Sequence, residues 1–126
     1  MINKKDILNI LKEYDFDSRK YIVISGAALV LRGIKETTTD IDIAVDDELY
    51  THLLKEYNCV FEKKSGGYEV WFIDNTINFS NHYYDVVEYE EYLGYKVQKV
   101  ESILKLKKEL NRDKDKEDIK RINELL

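Results

Sequence analysis

The 126-residue chain has no proline, a single cysteine and no apolar run long enough to span a membrane. Cys59 cannot form a disulfide within the chain, so we expect a reducing, cytoplasmic location. Met1–Asp6 indicates the start of a helix rather than a secretory signal. Without proline, turns and helix ends must depend on Gly, Asn and Asp. We therefore expect neither a disulfide-stabilised secreted protein nor a protein with a membrane partner.

The charge of the chain argues against general attraction to nucleic acid. It carries 20 basic and 25 acidic residues, a net charge of −5 at pH 7. An acidic protein can still handle nucleotides when a bound metal ion supplies the attraction. The hydrophobic fraction of 44% is ordinary for a globular protein, and the length predicts one domain over residues 1–126.

The apolar spacing changes along the chain from helical to strand periodicity and back. The predicted helices are one capped by Asn3, a short one from Gly26 to a left-handed cap at Gly33, one capped by Asp46 or Asp47, and two closing helices over about Val100–Asn111 and Asp115–Leu126. The predicted strands are Tyr21–Ile24, Ile41–Val45, Cys59–Lys64, Tyr68–Ile73, Thr76–Ser80 and Tyr95–Gln98. Asp74-Asn75 suits a tight hairpin between two of these strands. This order predicts an α+β fold, a mixed sheet with helices packed on one face.

The most informative motif is Thr39-Asp40-Ile41-Asp42-Ile43. Residues two apart in a strand point to the same face, so Asp40 and Asp42 share one side. Two carboxylates roughly 5 Å apart repel by about 3 kcal/mol at an effective dielectric constant of ~20. A divalent cation would turn that repulsion into attraction, and oxygen ligands suit Mg²⁺. The pair therefore predicts a magnesium site. The alternative is an exposed strand edge on which Asp40 caps a turn.

A second motif precedes this pair. Ser25 and Gly26 follow an apolar strand and open a helix, where unpaired N–H groups favour anions. The Ser25 hydroxyl adds a donor, and Gly26 allows a phosphate to approach closely. These residues predict a phosphate-binding turn. The alternative is that Ser25 is an ordinary N-cap and Gly26 a tight turn.

Together these motifs resemble the nucleotidyltransferase superfamily related to DNA polymerase beta. The matching residues are Ser25-Gly-Ala-Ala-Leu-Val-Leu-Arg-Gly33 and Thr39-Asp-Ile-Asp-Ile43, and they are similar to small bacterial members found as toxins or antitoxins. Leu106-Lys107 and Arg112–Ile119 are similar to the closing helices of such proteins. The family usually has Gly before Gly or Ser, whereas this chain has Ser before Gly.

The resemblance implies a role for each motif. Asp40 and Asp42 would be catalytic and coordinate one or two Mg²⁺ ions, and Ser25 and Gly26 would bind the β- and γ-phosphates of a nucleoside triphosphate. Lys107 would contact phosphate or Asp118. For Asp115 and Asp118, three residues apart, a capping box at the start of the last helix is the preferred interpretation.

One catalytic group is missing from the expected position. Active relatives carry a carboxylate on a nearby later strand that binds metal and deprotonates the acceptor hydroxyl. The matching position here is Asn78, whose amide cannot act as a base. Asp74, Asp85 and Glu88 are candidate substitutes.

Two functions follow from these motifs. The first is a Mg²⁺-dependent nucleotidyltransferase that moves a nucleoside monophosphate from a triphosphate to a hydroxyl of a small molecule, RNA or protein. The second is a catalytically impaired domain that binds nucleotide as a regulatory or antitoxin-type partner. A plain interaction protein with an incidental Asp pair is the third possibility. A second chain could supply acceptor recognition, so a homo- or hetero-oligomer is possible.

Overall fold

A computed structural model describes residues 1–126, and the α+β class is confirmed by five α-helices and a seven-stranded mixed sheet. The helices are α1 (Lys4–Tyr14), α2 (Ser25–Leu31), α3 (Asp47–Glu56), α4 (Val100–Leu110) and α5 (Lys116–Leu125). The strands are β1 (Tyr21–Val23), β2 (Ile41–Val45), β3 (Cys59–Ser65), β4 (Tyr68–Ile73), β5 (Ile77–Ser80), β6 (Tyr89–Tyr92) and β7 (Tyr95–Gln98). Short 3₁₀ turns cover Ser18–Lys20, Tyr83–Asp85 and Asp113–Asp115. No helix combines the length and apolar character needed to cross a membrane.

Strand β2 lies at the centre of the sheet, whose order is β3-β4-β5-β2-β1-β7-β6. It runs antiparallel to β1 and parallel to β5. Strand β1 also pairs in parallel with β7, and the remaining neighbours are antiparallel. The parallel pairing aligns Asp42 with Asn78. Residues that the sequence separates by more than thirty positions therefore become direct neighbours.

The helices pack on one face of the sheet, as predicted. All five contribute buried residues to a single apolar cluster, and β2 contributes Ile41, Ile43 and Val45 to it. These β2 residues are two apart and share a face, so Asp42 points to the opposite face. Residues 81–88 connect β5 to β6 across that opposite face, where the Tyr83 hydroxyl accepts a hydrogen bond from Lys96 at 2.6 Å. Asp42 and Asn78 remain partly exposed.

Local signals account for the ends of the early helices. Asn3 and Asp6 form a reciprocal capping box at the start of α1. Asp46 accepts a hydrogen bond from the Leu49 amide and caps α3. Gly33 has φ 77°, the left-handed conformation expected just after the end of α2. The predicted caps at Asn3, Asp46 and Gly33 are confirmed, and the reciprocal contact of Asp6 with Asn3 is an addition from the structure.

Candidate functional site

Asp40 and Asp42 lie together on the side of β2 that faces away from the apolar core. Ile41 and Ile43, on the other side, are at most 1% exposed, whereas both carboxylates are partly exposed. Asp40 and Asp42 are close enough to share a hydrogen bond. The predicted common face is therefore confirmed, and the two acidic groups form one unit.

Burial governs the protonation of this pair. It raises the pKa of Asp42 from 3.8 to about 7, and the neighbouring charge of Asp40 adds to the rise. Burial also raises the pKa of Asp40, although its hydrogen bond with Asp42 and the positive charges of Lys114 and Lys63 oppose the rise. Burial, together with the repulsion between the two adjacent carboxylates, therefore favours a proton on the pair up to near neutral pH. A bound cation would offset that repulsion.

The turn between β1 and α2 lies beside the pair. The Ile24 amide donates to the carbonyl oxygen of Asp42 at 3.0 Å, which joins the start of the turn to β2. Ser25 has φ 56°, a conformation that costs a non-glycine residue about 1–2 kcal/mol. Its amide donates to Oε1 of Gln98 at 3.0 Å. Ile24, not Ser25, is the N-cap of α2, so the alternative interpretation of Ser25 as an ordinary N-cap is wrong.

Gly26 faces a close neighbour in the same turn. A Cβ placed on this residue would lie 3.0 Å from Oγ1 of Thr38. Thr38 is 7% exposed, and backbone hydrogen bonds with Ile2 hold it in both directions. A side chain at position 26 would therefore press on the Thr38 hydroxyl, a constraint that the sequence did not indicate.

We expect Gly26→Ala to lower the free energy of unfolding by about 1 kcal/mol, because the new methyl group presses on the hydroxyl of Thr38, a buried residue whose main chain is fixed by Ile2. Thermal or urea unfolding measures the loss. In the double variant Gly26→Ala/Thr38→Ala the Thr38 hydroxyl is absent and the new methyl group has space. The loss of stability in the double variant should therefore be smaller than the sum of the losses in the two single variants. Strict additivity would show that the contact is not the cause.

A third carboxylate approaches the pair from an unexpected strand. Glu62 lies in β3 at an irregularity where the register with β4 shifts between Phe61 and Lys63. Its Oε2 accepts a hydrogen bond of 2.7 Å from Nδ2 of Asn78, and its negative charge contributes to the raised pKa of Asp42. The residues of the chain include no group of three or more His, Cys, Asp or Glu side chains arranged to hold a metal ion. Glu62 is thus near the pair but not part of it.

The three substitutes suggested by the sequence do not share this position. Asp74 accepts a hydrogen bond from the Tyr14 hydroxyl, and Asp85 accepts one from the Tyr68 hydroxyl. Glu88 is an exposed residue just before β6. None of them is among the charges that act on Asp40 or Asp42, whereas Glu62 is. Sequence reasoning missed Glu62 because a strand irregularity leaves no clear signature in a charged, exposed segment.

Lys107 lies in a buried ionic cluster between α4 and α5. Its ammonium is 3.0 Å from Oδ1 of Asp115 and 3.3 Å from Oδ2 of Asp118, and all three residues are at most 5% exposed. Arg112 adds a contact of 2.6 Å to Asp115, and Lys35 one of 3.2 Å to Asp118. Of the two contacts expected for Lys107, the one with Asp118 is confirmed, and a contact with nucleotide stays a prediction.

The predicted capping box at the start of α5 is wrong. Asp115 occupies the N-cap position, but its side chain makes no capping hydrogen bond. Arg112 and Lys107 take up the two carboxylate oxygens instead. Two cations outcompete neutral amides for a buried carboxylate, because charge-assisted hydrogen bonds are about twice as strong as neutral ones.

Two surface cavities lie away from these groups. One of about 250 Å³ lies against Phe16 and Tyr95, and one of about 360 Å³ lies against Tyr14 and Asp74. Neither is lined by Asp40 or Asp42. The acidic pair therefore lies outside both of these cavities. Comparison of the chain with protein-family models, with curated proteins and with solved structures found no match.

Proposed function

We propose that the protein is a Mg²⁺-dependent nucleotidyltransferase, which moves a nucleoside monophosphate from a triphosphate to a hydroxyl acceptor and releases pyrophosphate. The observation that carries the proposal is the close pair of carboxylates, those of Asp40 and Asp42, beside the Ser25–Gly26 turn. This arrangement combines acidic oxygen ligands with a glycine turn, and the motifs of both resemble the same superfamily. The acceptor would be a hydroxyl group of a small molecule, RNA or protein.

The chemistry of the pair suits magnesium. Asp40 and Asp42 offer hard oxygen ligands, and burial with mutual repulsion makes their full ionisation costly without a cation. These two residues would hold the ion. When bound, Mg²⁺ neutralises the charge that develops on the transferred phosphoryl group. The residues of the protein itself would bind the triphosphate, orient the acceptor and remove the proton of its hydroxyl group.

The remaining residues divide these tasks. Ser25 and Gly26 would contact the phosphates through the Ser25 hydroxyl and the main chain of the turn. Glu62 is our candidate for the base that removes the proton of the acceptor hydroxyl. Its carboxylate is exposed to solvent, and the Asn78 amide orients it by donating one hydrogen bond. The Asn78 amide cannot itself act as a base, but it can hold the Glu62 carboxylate in position by this hydrogen bond.

We expect Glu62→Gln to lower the rate of nucleotidyl transfer by about 10²-fold or more, because the amide cannot accept the acceptor's proton. Binding of Mg²⁺-triphosphate should change little, since Glu62 is not part of the acidic pair. Transfer assays and calorimetric binding separate the two effects. The matched control is Glu69→Gln, an exposed carboxylate on neighbouring β4. Equal rates for Glu62→Gln and the native protein would remove Glu62 from the mechanism.

A second function is favoured by one observation. Asn78, which is paired with Asp42 across the parallel strands, carries no charge, so the position expected for a carboxylate is neutral. A protein that binds nucleotide and magnesium without transfer, as a regulatory or antitoxin-type partner, fits that substitution. This regulatory function, however, gives no role to the hydrogen bond between Asn78 and Glu62.

Incubation with the four labelled nucleoside triphosphates and Mg²⁺, with RNA and protein acceptors, tests the two functions. Transfer by the native protein that is absent in Asp42→Asn supports the enzyme. Binding of Mg²⁺-triphosphate that needs Asp42, without any transfer, supports the regulatory protein. Triphosphate binding that is unchanged in Asp40→Asn and Asp42→Asn would contradict both.

A further inference from the structure

The ionic cluster between α4 and α5 carries an excess of positive charge. Three cations, Lys35, Lys107 and Arg112, surround two carboxylates, those of Asp115 and Asp118. Asp115 is shared by Arg112 and Lys107, and a single oxygen of Asp118 is shared by Lys107 and Lys35. One positive charge is therefore not balanced within the cluster.

Lys35 is the member of the cluster that can change partner. Its side chain is 30% exposed, whereas that of Lys107 is 7% exposed. If the Lys35 ammonium moves away, Asp118 keeps its contact with Lys107 at 3.3 Å. Lys107, by contrast, is almost fully buried and contacts both carboxylates, so it cannot move away without weakening the pairing of each.

Lys35 lies next to the Ser25–Gly26 turn at the start of α2. Its ammonium is 3.9 Å from the position that a Cβ on Gly26 would take. Its backbone amide donates to the carbonyl of Leu29 at 3.3 Å, which fixes the main chain from which the side chain extends. Lys114, from the same turn as Arg112, also contributes positive charge that acts on Asp40.

We propose that Lys35 is the cation that contacts the phosphates of the bound triphosphate, exchanging Asp118 for a phosphate oxygen. Asp118 positions the lysine before the nucleotide arrives, and Lys107 keeps Asp118 paired afterwards. The phosphate supplies the negative charge that the cluster lacks. This inference rests on the proposed function and adds to it the residue that recognises the phosphates.

The test measures binding of α,β-methylene analogues of the four triphosphates, and of inorganic tripolyphosphate, by calorimetry with Mg²⁺. We expect Lys35→Gln to weaken binding about 10- to 100-fold, the usual effect of losing a charge-assisted hydrogen bond. Lys35→Arg should bind within about threefold of the native protein, because it keeps the charge. Lys55→Gln, at an exposed lysine of α3, is the matched control and should bind as the native protein does. Binding of Mg²⁺ alone should be unchanged in all three variants.

The outcomes separate this inference from the proposed function. Native binding by Lys35→Gln, together with no binding by Asp42→Asn, overturns the role of Lys35 and leaves the function standing. Absence of triphosphate binding by the native protein overturns both. Should Lys35→Gln unfold, Lys35→Met supplies the same measurement without a polar group beside Asp118.

Discussion

Asp42→Asn should reduce the rate of nucleotidyl transfer by about 10³-fold, the largest functional effect that we expect of any single substitution. The amide keeps the shape of the side chain but removes the charge that would hold the metal ion. Magnesium should also raise the unfolding temperature of the native protein and leave that of Asp42→Asn unchanged, because only a ligand that binds the folded state stabilises it. The second readout does not depend on knowing the acceptor.

The same substitution should stabilise the metal-free protein at alkaline pH. Burial and Asp40 raise the pKa of Asp42 from 3.8 to about 7. The unfolded chain releases this proton near pH 4, while the folded protein keeps it until about pH 7, so stability falls as pH rises through this interval. Asp42→Asn removes the fall and should be more stable than the native protein at pH 8 by about 2–4 kcal/mol.

Urea unfolding between pH 4 and pH 8, with chelator present, measures this difference. Asp15→Asn is a suitable control, because Asp15 is exposed and its left-handed conformation suits asparagine equally well. Parallel pH profiles for Asp42→Asn and the native protein would show that Asp42 is not a buried, proton-retaining carboxylate.

Lys107→Met should lower the free energy of unfolding by about 3 kcal/mol, the largest loss of stability that we expect. Methionine fills a similar volume, so the loss reports the charge and not a cavity. Each of the two buried carboxylates would lose one of its two cationic partners, and such a loss is costly where water cannot replace the lost partner. Arg112 and Lys35 still contact the two carboxylates, which keeps the loss at the lower end of the usual range.

Lys108→Met tests whether this loss is specific. Lys108 is the next residue of α4, but it is exposed, so its substitution should change stability by less than about 0.5 kcal/mol. A similar loss in both variants would mean that methionine disturbs α4 wherever it is placed.

The stabilisation that the cluster around Lys107 provides should be lost at low pH. Burial opposes the ionisation of Asp115, but its hydrogen bonds with Arg112 and Lys107 outweigh burial and hold its pKa below 3.8. The stabilisation is therefore complete above about pH 4 and is lost as pH falls through the lowered pKa.

The sequence was sufficient for elements whose signals are local. The boundaries of β2 and β4 were predicted without error. The tight hairpin at Asp74-Asn75 is confirmed by positive φ angles of 52° and 53°. These signals are local: the alternation of apolar and polar residues, a capping residue and a pair of turn residues each extend over only a few positions. They therefore predict the element without knowledge of distant contacts.

Elements that depend on distant partners were harder to predict from the sequence. The pattern gave no sign of β6, which joins β7 through a turn where Leu93 has φ 55°, an unusual conformation for leucine. The contact of Lys35 with Asp118 spans 83 residues. Part of the candidate site was predictable because Asp40 and Asp42 are two apart. The rest was not, because Glu62 and Lys35 reach it only through tertiary structure.

The irregularity that brings Glu62 towards Asn78 also affects the outer edge of the sheet. Strand β3 is a seven-residue edge strand, and almost all of its residues are exposed. A flat, uninterrupted edge of this length would serve as a template for pairing with other chains and so for aggregation. The register shift and the adjacent charges of Glu62, Lys63 and Lys64 interrupt that template. One local distortion thereby protects the protein from open-ended self-assembly while it orients a carboxylate.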